Sequence, residues 1–261
     1  MAVLNLHHFG SPDGAPTLAI HGVTAHGERY RRLALEAFPE RRWLAVDLRG
    51  HGRSTWDGPW TVERHVADLL ETLDAEGVDR VEVVGHSYGG MIALHLLATA
   101  PERVARVALL DPAVELPGEW LPKLADDMID DPGWETPEEA LAKRLDGRAP
   151  QSIPDATDDV KRHLYQAPDG RYRMRFHRGA AVAGWSEMAR TTVSLAEAQR
   201  PCLLVVAKQE EIVRPELRAS LARDLGDRLA TVEIDCGHML YWDAFDETAA
   251  LLRSWLAGEE A

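Results

Sequence analysis

A serine flanked by glycines is the first feature of this sequence that suggests chemistry. The stretch Gly85-His86-Ser87-Tyr88-Gly89 matches the pattern G-x-S-x-G, in which a sharp turn from a strand into a helix exposes the serine hydroxyl. A β-branched, mostly apolar block precedes it and a helix-like run follows it. The flanking glycines leave room for strand and helix to pass closely. We therefore predict that Ser87 is a nucleophile and not an ordinary helix-capping serine.

Short apolar segments that alternate with helix-like segments would position this serine. Strands are predicted at residues 17–22, 43–50, 81–86, 104–111, 202–208 and 229–238. Amphipathic helices are predicted behind Thr61, from Pro215 to Gly226, and after Asp243. Continuous apolar strands that feed helices predict an α/β fold, with a mostly parallel sheet covered on both faces.

The alternation is interrupted between about Leu116 and Ala198, where prolines and aromatic residues are scattered among helix-length pieces. Ligands bind at the carboxyl edge of open α/β sheets, so an insertion at that edge is placed to act as a lid. We predict a core domain in two parts, residues 1–115 and 199–261, with a helical lid at residues 116–198 between them. Within the lid, arginine alternates with other residues at 171–178, which favours a hairpin strand with a solvated arginine face over a cationic surface for an anionic substrate.

Composition argues against several classes of function. The formal net charge of −14 repels nucleic acids and anionic membrane surfaces. No segment is apolar for long enough to span a membrane, and we expect a soluble, cytoplasmic protein. Two cysteines do not make a disulfide framework. No histidine pair has zinc-ligand spacing and no G-x-G-x-x-G follows the first strands, so we expect no metal and no cofactor.

Four motifs occur in an order and spacing that resemble a known family. They are IHG at 20–22, DLRGHGRS at 47–54, GHSYGG at 85–90 and CGHM at 236–239. Together they resemble the α/β-hydrolase family over nearly the whole chain. The resemblance implies a histidine base in the loop after the last strand, which is His238. A serine hydroxyl needs such a base to take its proton during attack and return it to the leaving group.

Three other histidines, His21, His51 and His86, lie inside these motif turns. We expect them to make structural hydrogen bonds and not to act in catalysis.

Two carboxylates are candidates for the acid that orients the histidine. Asp111 ends a strand predicted to lie next to that of the nucleophile. Glu210 follows the next strand, where the resembled family most often keeps its acid, but the family's usual glycine-containing turn with aspartate is missing from Lys208-Gln209-Glu210. Some members place the acid after the earlier strand, so we favour Asp111 and keep Glu210 as the alternative.

Attack on an acyl carbon creates an oxyanion that needs preorganised donors. The backbone N–H groups of Tyr88, directly after the nucleophile, and of Val23, in the loop after IHG, are the candidates. A mostly apolar substrate pocket is predicted from the first loop and the insertion, with Thr24, His26, Trp120, Met128, Trp134, Trp185 and Met188 as candidate lining residues.

These residues predict hydrolysis of a small hydrophobic carboxylic ester or lactone through an acyl-enzyme on Ser87. Two alternatives remain open. One is a carbon–carbon bond hydrolase of the same fold, and the other is a non-catalytic ligand-binding member of the fold. The sequence gives no oligomeric state.

Overall fold

The main sheet carries the residues singled out above. The computed structural model describes residues 4–258 of the chain. Its strands are Leu6–Gly10 (β1), Pro16–Ile20 (β2), Arg42–Val46 (β3), Val81–His86 (β4), Val104–Leu110 (β5), Leu164–Gln166 (β6), Tyr172–Met174 (β7), Cys202–Ala207 (β8) and Leu229–Ile234 (β9). Within the described residues the main sheet has seven strands in the order β1-β3-β2-β4-β5-β8-β9. β1 pairs antiparallel with β3, and the other neighbours pair in parallel, as predicted.

Helices cover both faces of this sheet. The α-helices are Val62–Ala75 (α1), Tyr88–Thr99 (α2), Leu121–Ile129 (α3), Pro137–Leu145 (α4), Ile153–His163 (α5), Arg178–Met188 (α6), Pro215–Leu225 (α7), Leu240–Asp243 (α8) and Phe245–Ala257 (α9). Successive residues of β4 point to opposite faces, so Val83 and Val84 belong to different apolar clusters. The first cluster includes residues of α1, α2 and α7, and the second includes residues of α8 and α9.

The predicted cap at the start of α1 and the predicted glycine at the end of α7 are both present, but the backbone of that glycine differs from the expected conformation. Thr61 caps α1, since its Oγ1 accepts a hydrogen bond from the backbone N–H of Arg64 at 3.3 Å. Gly226 follows α7 and has a positive φ of 53°. Its ψ is −127°, which is not the expected left-handed helical value, because the chain continues into a short 3-10 turn.

The stretch between β5 and β8 contains α3, α4, α5 and α6, together with a hairpin formed by β6 and β7. The two hairpin strands pair antiparallel and stand apart from the main sheet. The insertion is therefore mostly helical and also contains a short β-hairpin. Arginine alternates with apolar or aromatic residues across β7. This alternation has the period of two of a strand, which explains why this part of the insertion is not helical.

No helix among the described residues is long and apolar enough to cross a membrane.

Candidate active site

Ser87 lies at the turn between β4 and α2 with a strained backbone. Its φ is 55° and its ψ is −120°, a conformation that is rare for residues other than glycine. Its side chain makes no capping hydrogen bond to α2, so the explanation of Ser87 as a helix cap is excluded. The backbone N–H of Ser87 donates to the carbonyl oxygen of Leu110 at 3.1 Å, and its own carbonyl accepts from Ala113 at 3.1 Å. The backbone of β5 and of the residues just after it therefore holds the turn in place.

The glycines around Ser87 are required by space. A Cβ atom on Gly85 would lie 2.5 Å from the carbonyl oxygen of Gly89, and one on Gly90 would lie 2.7 Å from Cβ of Pro112. A Cβ atom on Gly89 would overlap the carbonyl oxygen of Ile20. Real Cβ atoms do not approach other heavy atoms this closely, so strand and helix pass each other only without these side chains.

Gly89→Ala is expected to lower the free energy of unfolding by about 3 kcal/mol, because the added methyl group meets backbone that cannot rotate away. Urea denaturation of the two proteins measures this difference. Gly118→Ala is the matched control, since a Cβ atom there meets nothing within 4 Å, and its effect should stay below about 1 kcal/mol. Equal effects of the two substitutions would contradict this explanation of the glycine.

His238 and Asp111 form a close pair at the carboxyl edge of the sheet. Nδ1 of His238 lies 2.6 Å from Oδ2 of Asp111. The other carboxylate oxygen, Oδ1, accepts a hydrogen bond from the backbone N–H of Ala207 at 3.0 Å. Asp111 is completely buried and has a positive φ of 45°, so strain is concentrated here as it is at Ser87. Both oxygens of this buried carboxylate are satisfied, and one of them holds the imidazole.

Glu210, the alternative acid, contacts a different part of the same histidine. Its Oε1 accepts a hydrogen bond from the backbone N–H of His238 at 3.2 Å. The side chain of His238 is partly exposed, at 24%, whereas Glu210 belongs to an exposed turn. Of the two candidates, Asp111 contacts the ring and Glu210 contacts the main chain.

His86 brings the histidine loop to the nucleophile turn. Its Nε2 donates to the carbonyl oxygen of His238 at 2.8 Å, and the two imidazole rings have centroids 4.6 Å apart. Burial, with a smaller effect of nearby His238, lowers the pKa of His86 well below its usual value. A neutral His86 next to Ser87 thus ties that turn to residue 238, and this structural hydrogen bond was expected from the sequence.

The two candidate oxyanion donors lie on either side of the turn. A Cβ atom on Gly22 would lie 3.0 Å from Cβ and 3.4 Å from Oγ of Ser87, so the loop that carries Val23 runs directly beside the serine. Neither Val23 N–H nor Tyr88 N–H donates a hydrogen bond to any group in residues 4–258. Within the described residues, both N–H groups therefore lack a hydrogen-bond acceptor.

Helix α6 packs against the side chains of Val23 and Tyr88. A Cβ atom on Gly184 would lie 3.3 Å from Cγ2 of Val23 and 3.5 Å from Cε1 of Tyr88. Trp185, the next residue, is partly buried against the first apolar cluster. Its indole Nε1 has no hydrogen-bond partner among the described residues. The expected pocket residue Trp185 thus lies on the helix that packs against Val23 and Tyr88.

The other candidate pocket residues are dispersed. Met188 is fully buried, and its carbonyl accepts a hydrogen bond from Leu116 at 3.0 Å. Met128 is partly buried against the same cluster, whereas Trp120 is 37% exposed. Trp134 pairs through its backbone with Tyr172 and lines a cavity with residues of α4, with neither Ser87 nor His238 among its described lining residues. Thr24 lies beside Val23 with a positive φ of 61°.

His26 is engaged in a buried ionic cluster that the sequence did not suggest. Its Nε2 lies 2.7 Å from Oδ1 of Asp159 on α5, and Nε of Arg29 lies 2.7 Å from the same oxygen. Arg144 on α4 adds a third contact at 3.0 Å. Although burial opposes ionisation, the guanidinium groups of Arg29 and Arg144, together with the hydrogen bond to His26, hold the pKa of Asp159 well below its usual value. The cluster joins the chain after β2 to the segment between β5 and β8.

Neither cysteine of the chain is ionised at neutral pH. Burial and nearby carboxylates, first of them Asp243, raise the pKa of Cys236 to about 12, so this thiol stays protonated at neutral pH. Burial alone raises the pKa of Cys202 to about 12. No cluster of histidine, cysteine and carboxylate side chains suited to a metal ion is present in the described part of the chain.

Comparisons with known proteins agree with this fold. A family model described as alpha/beta hydrolase fold matches residues 16–245. Lipase LipV of Mycobacterium tuberculosis is 39% identical over 97% of this chain and 97% of its own length. The 2-hydroxymuconate semialdehyde hydrolase of Pseudomonas putida is 26% identical over 98% and 92%.

The same fold is found in a solved structure of E-2-(acetamidomethylene)succinate hydrolase. It superposes with a TM-score of 0.82 at 21% identity, covering 97% of this chain and 95% of that chain. At this identity the likeness concerns the fold alone. Because the family model and LipV both match most of the sequence, the chain belongs to the α/β-hydrolase family.

Proposed function

We propose that this protein hydrolyses a hydrophobic carboxylic ester or lactone through an acyl-enzyme on Ser87. The observation that carries the proposal is the hydrogen-bonded pair of His238 and the buried Asp111, which lies at the edge of the sheet where the strained turn carries Ser87. The identity to LipV, a lipase by name, supports an ester as substrate.

Asp111, His238 and Ser87 have different roles in the reaction. The carboxylate of Asp111 accepts the Nδ1–H of His238, which leaves Nε2 of the ring unprotonated and able to take the proton of Ser87 Oγ. Oγ then bonds to the acyl carbon, and the carbonyl π electrons move onto its oxygen. When this tetrahedral intermediate collapses, the bond to the alcohol oxygen breaks and His238 returns the proton to that oxygen. Water repeats the steps on the acyl-enzyme and releases the acid.

The oxyanion of each tetrahedral intermediate would be bound by the N–H groups of Val23 and Tyr88. Both belong to backbone that flanks Ser87, and both lack a partner within residues 4–258. Donors fixed before the reaction stabilise developing charge without having to reorganise.

The segment at residues 116–198 would act as the lid. Support comes from α6, which packs on the side chains of both Val23 and Tyr88 through Gly184. Trp185 and its apolar neighbours would give the acyl group an apolar surface, which favours hydrophobic substrates.

Hydrolysis of a carbon–carbon bond is the second candidate. It is favoured by the likeness to 2-hydroxymuconate semialdehyde hydrolase, since that substrate is by name neither an ester nor a lactone. The same serine and histidine would serve both reactions, so the site geometry alone does not separate them.

A substrate panel separates the two candidates. We expect p-nitrophenyl acetate, butyrate and octanoate to be hydrolysed, with kcat/KM rising from acetate to butyrate because each added methylene is buried under the lid. An aliphatic lactone followed by pH-stat titration extends the panel. A 2-hydroxy-6-oxo-dienoate followed by the loss of its absorbance tests carbon–carbon cleavage. Faster turnover of the dienoate than of every ester and lactone would overturn the first proposal.

A further inference from the structure

Two buried histidines exchange hydrogen bonds between the loops that follow β2 and β3. Nε2 of His21 accepts from the backbone N–H of Leu48 at 3.0 Å. In the opposite direction, Nε2 of His51 accepts from the backbone N–H of Thr24 at 3.3 Å. Each loop thus supplies one imidazole to the main chain of the other. The rings meet edge to face with centroids 5.2 Å apart, and both residues are completely buried.

The other ring nitrogens fix the tautomer of each histidine. Nδ1 of His21 lies 2.7 Å from the carbonyl oxygen of Gly22, and Nδ1 of His51 lies 3.1 Å from that of Arg49. A carbonyl oxygen only accepts, so each Nδ1 carries the proton and each Nε2 is the acceptor. Only the neutral ring fits both partners. Burial lowers the pKa of His51 to about 4 and that of His21 well below its usual value, which keeps both rings neutral at physiological pH.

The loop held in this way is the one that carries Val23. His21 anchors its start through the carbonyl of Gly22, and His51 anchors its middle through the N–H of Thr24. Thr24 has a φ of 61°, a left-handed conformation that costs a threonine free energy and has to be held by its surroundings. Val23 lies between these two anchors, beside Ser87. The direction of its N–H therefore depends on both imidazoles.

We propose that His21 and His51 are positioning residues for the oxyanion site, which together fix the Val23 N–H toward Ser87. The catalytic effect that we infer rests on the proposed hydrolysis. The brace itself, by which we mean the hydrogen bonds of His21 and His51 to the two loops, is a property of the fold. Loss of one acceptor leaves a backbone N–H, fully or partly buried, without a partner and frees the loop to turn the Val23 N–H away from Ser87. The chemical step should suffer more than substrate binding, because the oxyanion exists only after attack.

The kinetic test compares His51→Leu, which removes the acceptor, with His51→Gln, whose side-chain carbonyl oxygen restores one near the position of Nε2. Rates are expressed per active site after titration with a fluorophosphonate, so that unfolded protein does not count. We expect His51→Leu to lower kcat by about 10- to 100-fold with KM little changed, and His51→Gln to recover most of the loss. A trifluoromethyl ketone, whose serine adduct carries an oxyanion, should lose affinity in the same proportion as kcat/KM.

His95→Leu is the control for loss of a histidine, since His95 is a partly exposed residue of α2, outside both loops, and we expect wild-type kinetics from it. Wild-type kcat per active site in His51→Leu would overturn the inference, as would a loss that glutamine does not relieve at all.

A second measurement does not depend on activity. Amide hydrogen exchange, followed by mass spectrometry, should become faster in peptides covering residues 22–27 of His51→Leu and return toward the wild-type rate in His51→Gln. Peptides covering residues 88–99 should be unaffected. Unchanged exchange at residues 22–27 would refute the brace whatever the protein hydrolyses. Absence of turnover in the wild-type protein would refute only the proposed hydrolysis.

Discussion

Ser87→Ala is expected to lower kcat/KM for p-nitrophenyl butyrate by about 10⁴-fold or more, because the covalent route disappears with the hydroxyl. The residual rate would come from binding and oxyanion stabilisation of direct attack by water. Initial rates measured at 400 nm, with enzyme in large amounts for the variant, give the ratio.

The fold should tolerate this change, because the Ser87 side chain makes no capping hydrogen bond and the turn is held by backbone contacts. Alanine at position 87 keeps the strained φ of 55° while adding no atoms. Ser220→Ala, on α7, controls for the loss of a serine hydroxyl and should retain wild-type activity. A Ser87→Ala variant with more than a tenth of the wild-type rate would exclude the acyl-enzyme mechanism.

Asp111→Asn is expected to lower kcat by about 10⁴-fold while leaving KM much less affected. The reason lies in the hydrogen bonds of the carboxylate. One oxygen accepts the N–H of Ala207, so the amide oxygen of asparagine takes that place and the amide NH₂ group faces His238. The NH₂ group then donates to Nδ1, the ring proton moves to Nε2, and this tautomer does not accept the proton of Ser87.

Glu210→Gln is the matched control for the acid. The amide oxygen of glutamine is still able to accept the backbone N–H of His238 that Glu210 accepts at 3.2 Å, so we expect kcat within about threefold of the wild type. Steady-state kinetics of both variants on one ester decide between the two carboxylates. Near-normal turnover in Asp111→Asn, or a larger loss in Glu210→Gln, would assign the acid to Glu210.

The fold was largely predictable because its signals are local. Apolar strands and amphipathic helices follow from residue periodicity, and the steric need for glycine at positions 85 and 89 is already present in the motif. The alternation at residues 171–178 indicated the hairpin strand that contains β7, but β6 was not predicted, since a three-residue strand is too short for a clear alternation.

Contacts between distant parts of the chain were much less predictable. Asp111 and His238 are 127 residues apart, and the sequence left Glu210 open because nothing local tells which carboxylate reaches the ring. His26 was expected at the pocket for its place in the first loop, but it pairs with Asp159, 133 residues further along the chain. For His21 and His51 the structural role was foreseen and the partners were not. Only the fold brings the two motif turns together.

The central claim is that the hydroxyl of Ser87 lies within reach of the imidazole of His238, and labelling with a fluorophosphonate tests it most directly. We expect one adduct per chain, located on Ser87 by peptide mass spectrometry. In His238→Ala we expect labelling to be slower by about 10³-fold or more, because the serine then has no base. An adduct on another residue, or labelling of His238→Ala at the wild-type rate, would contradict it.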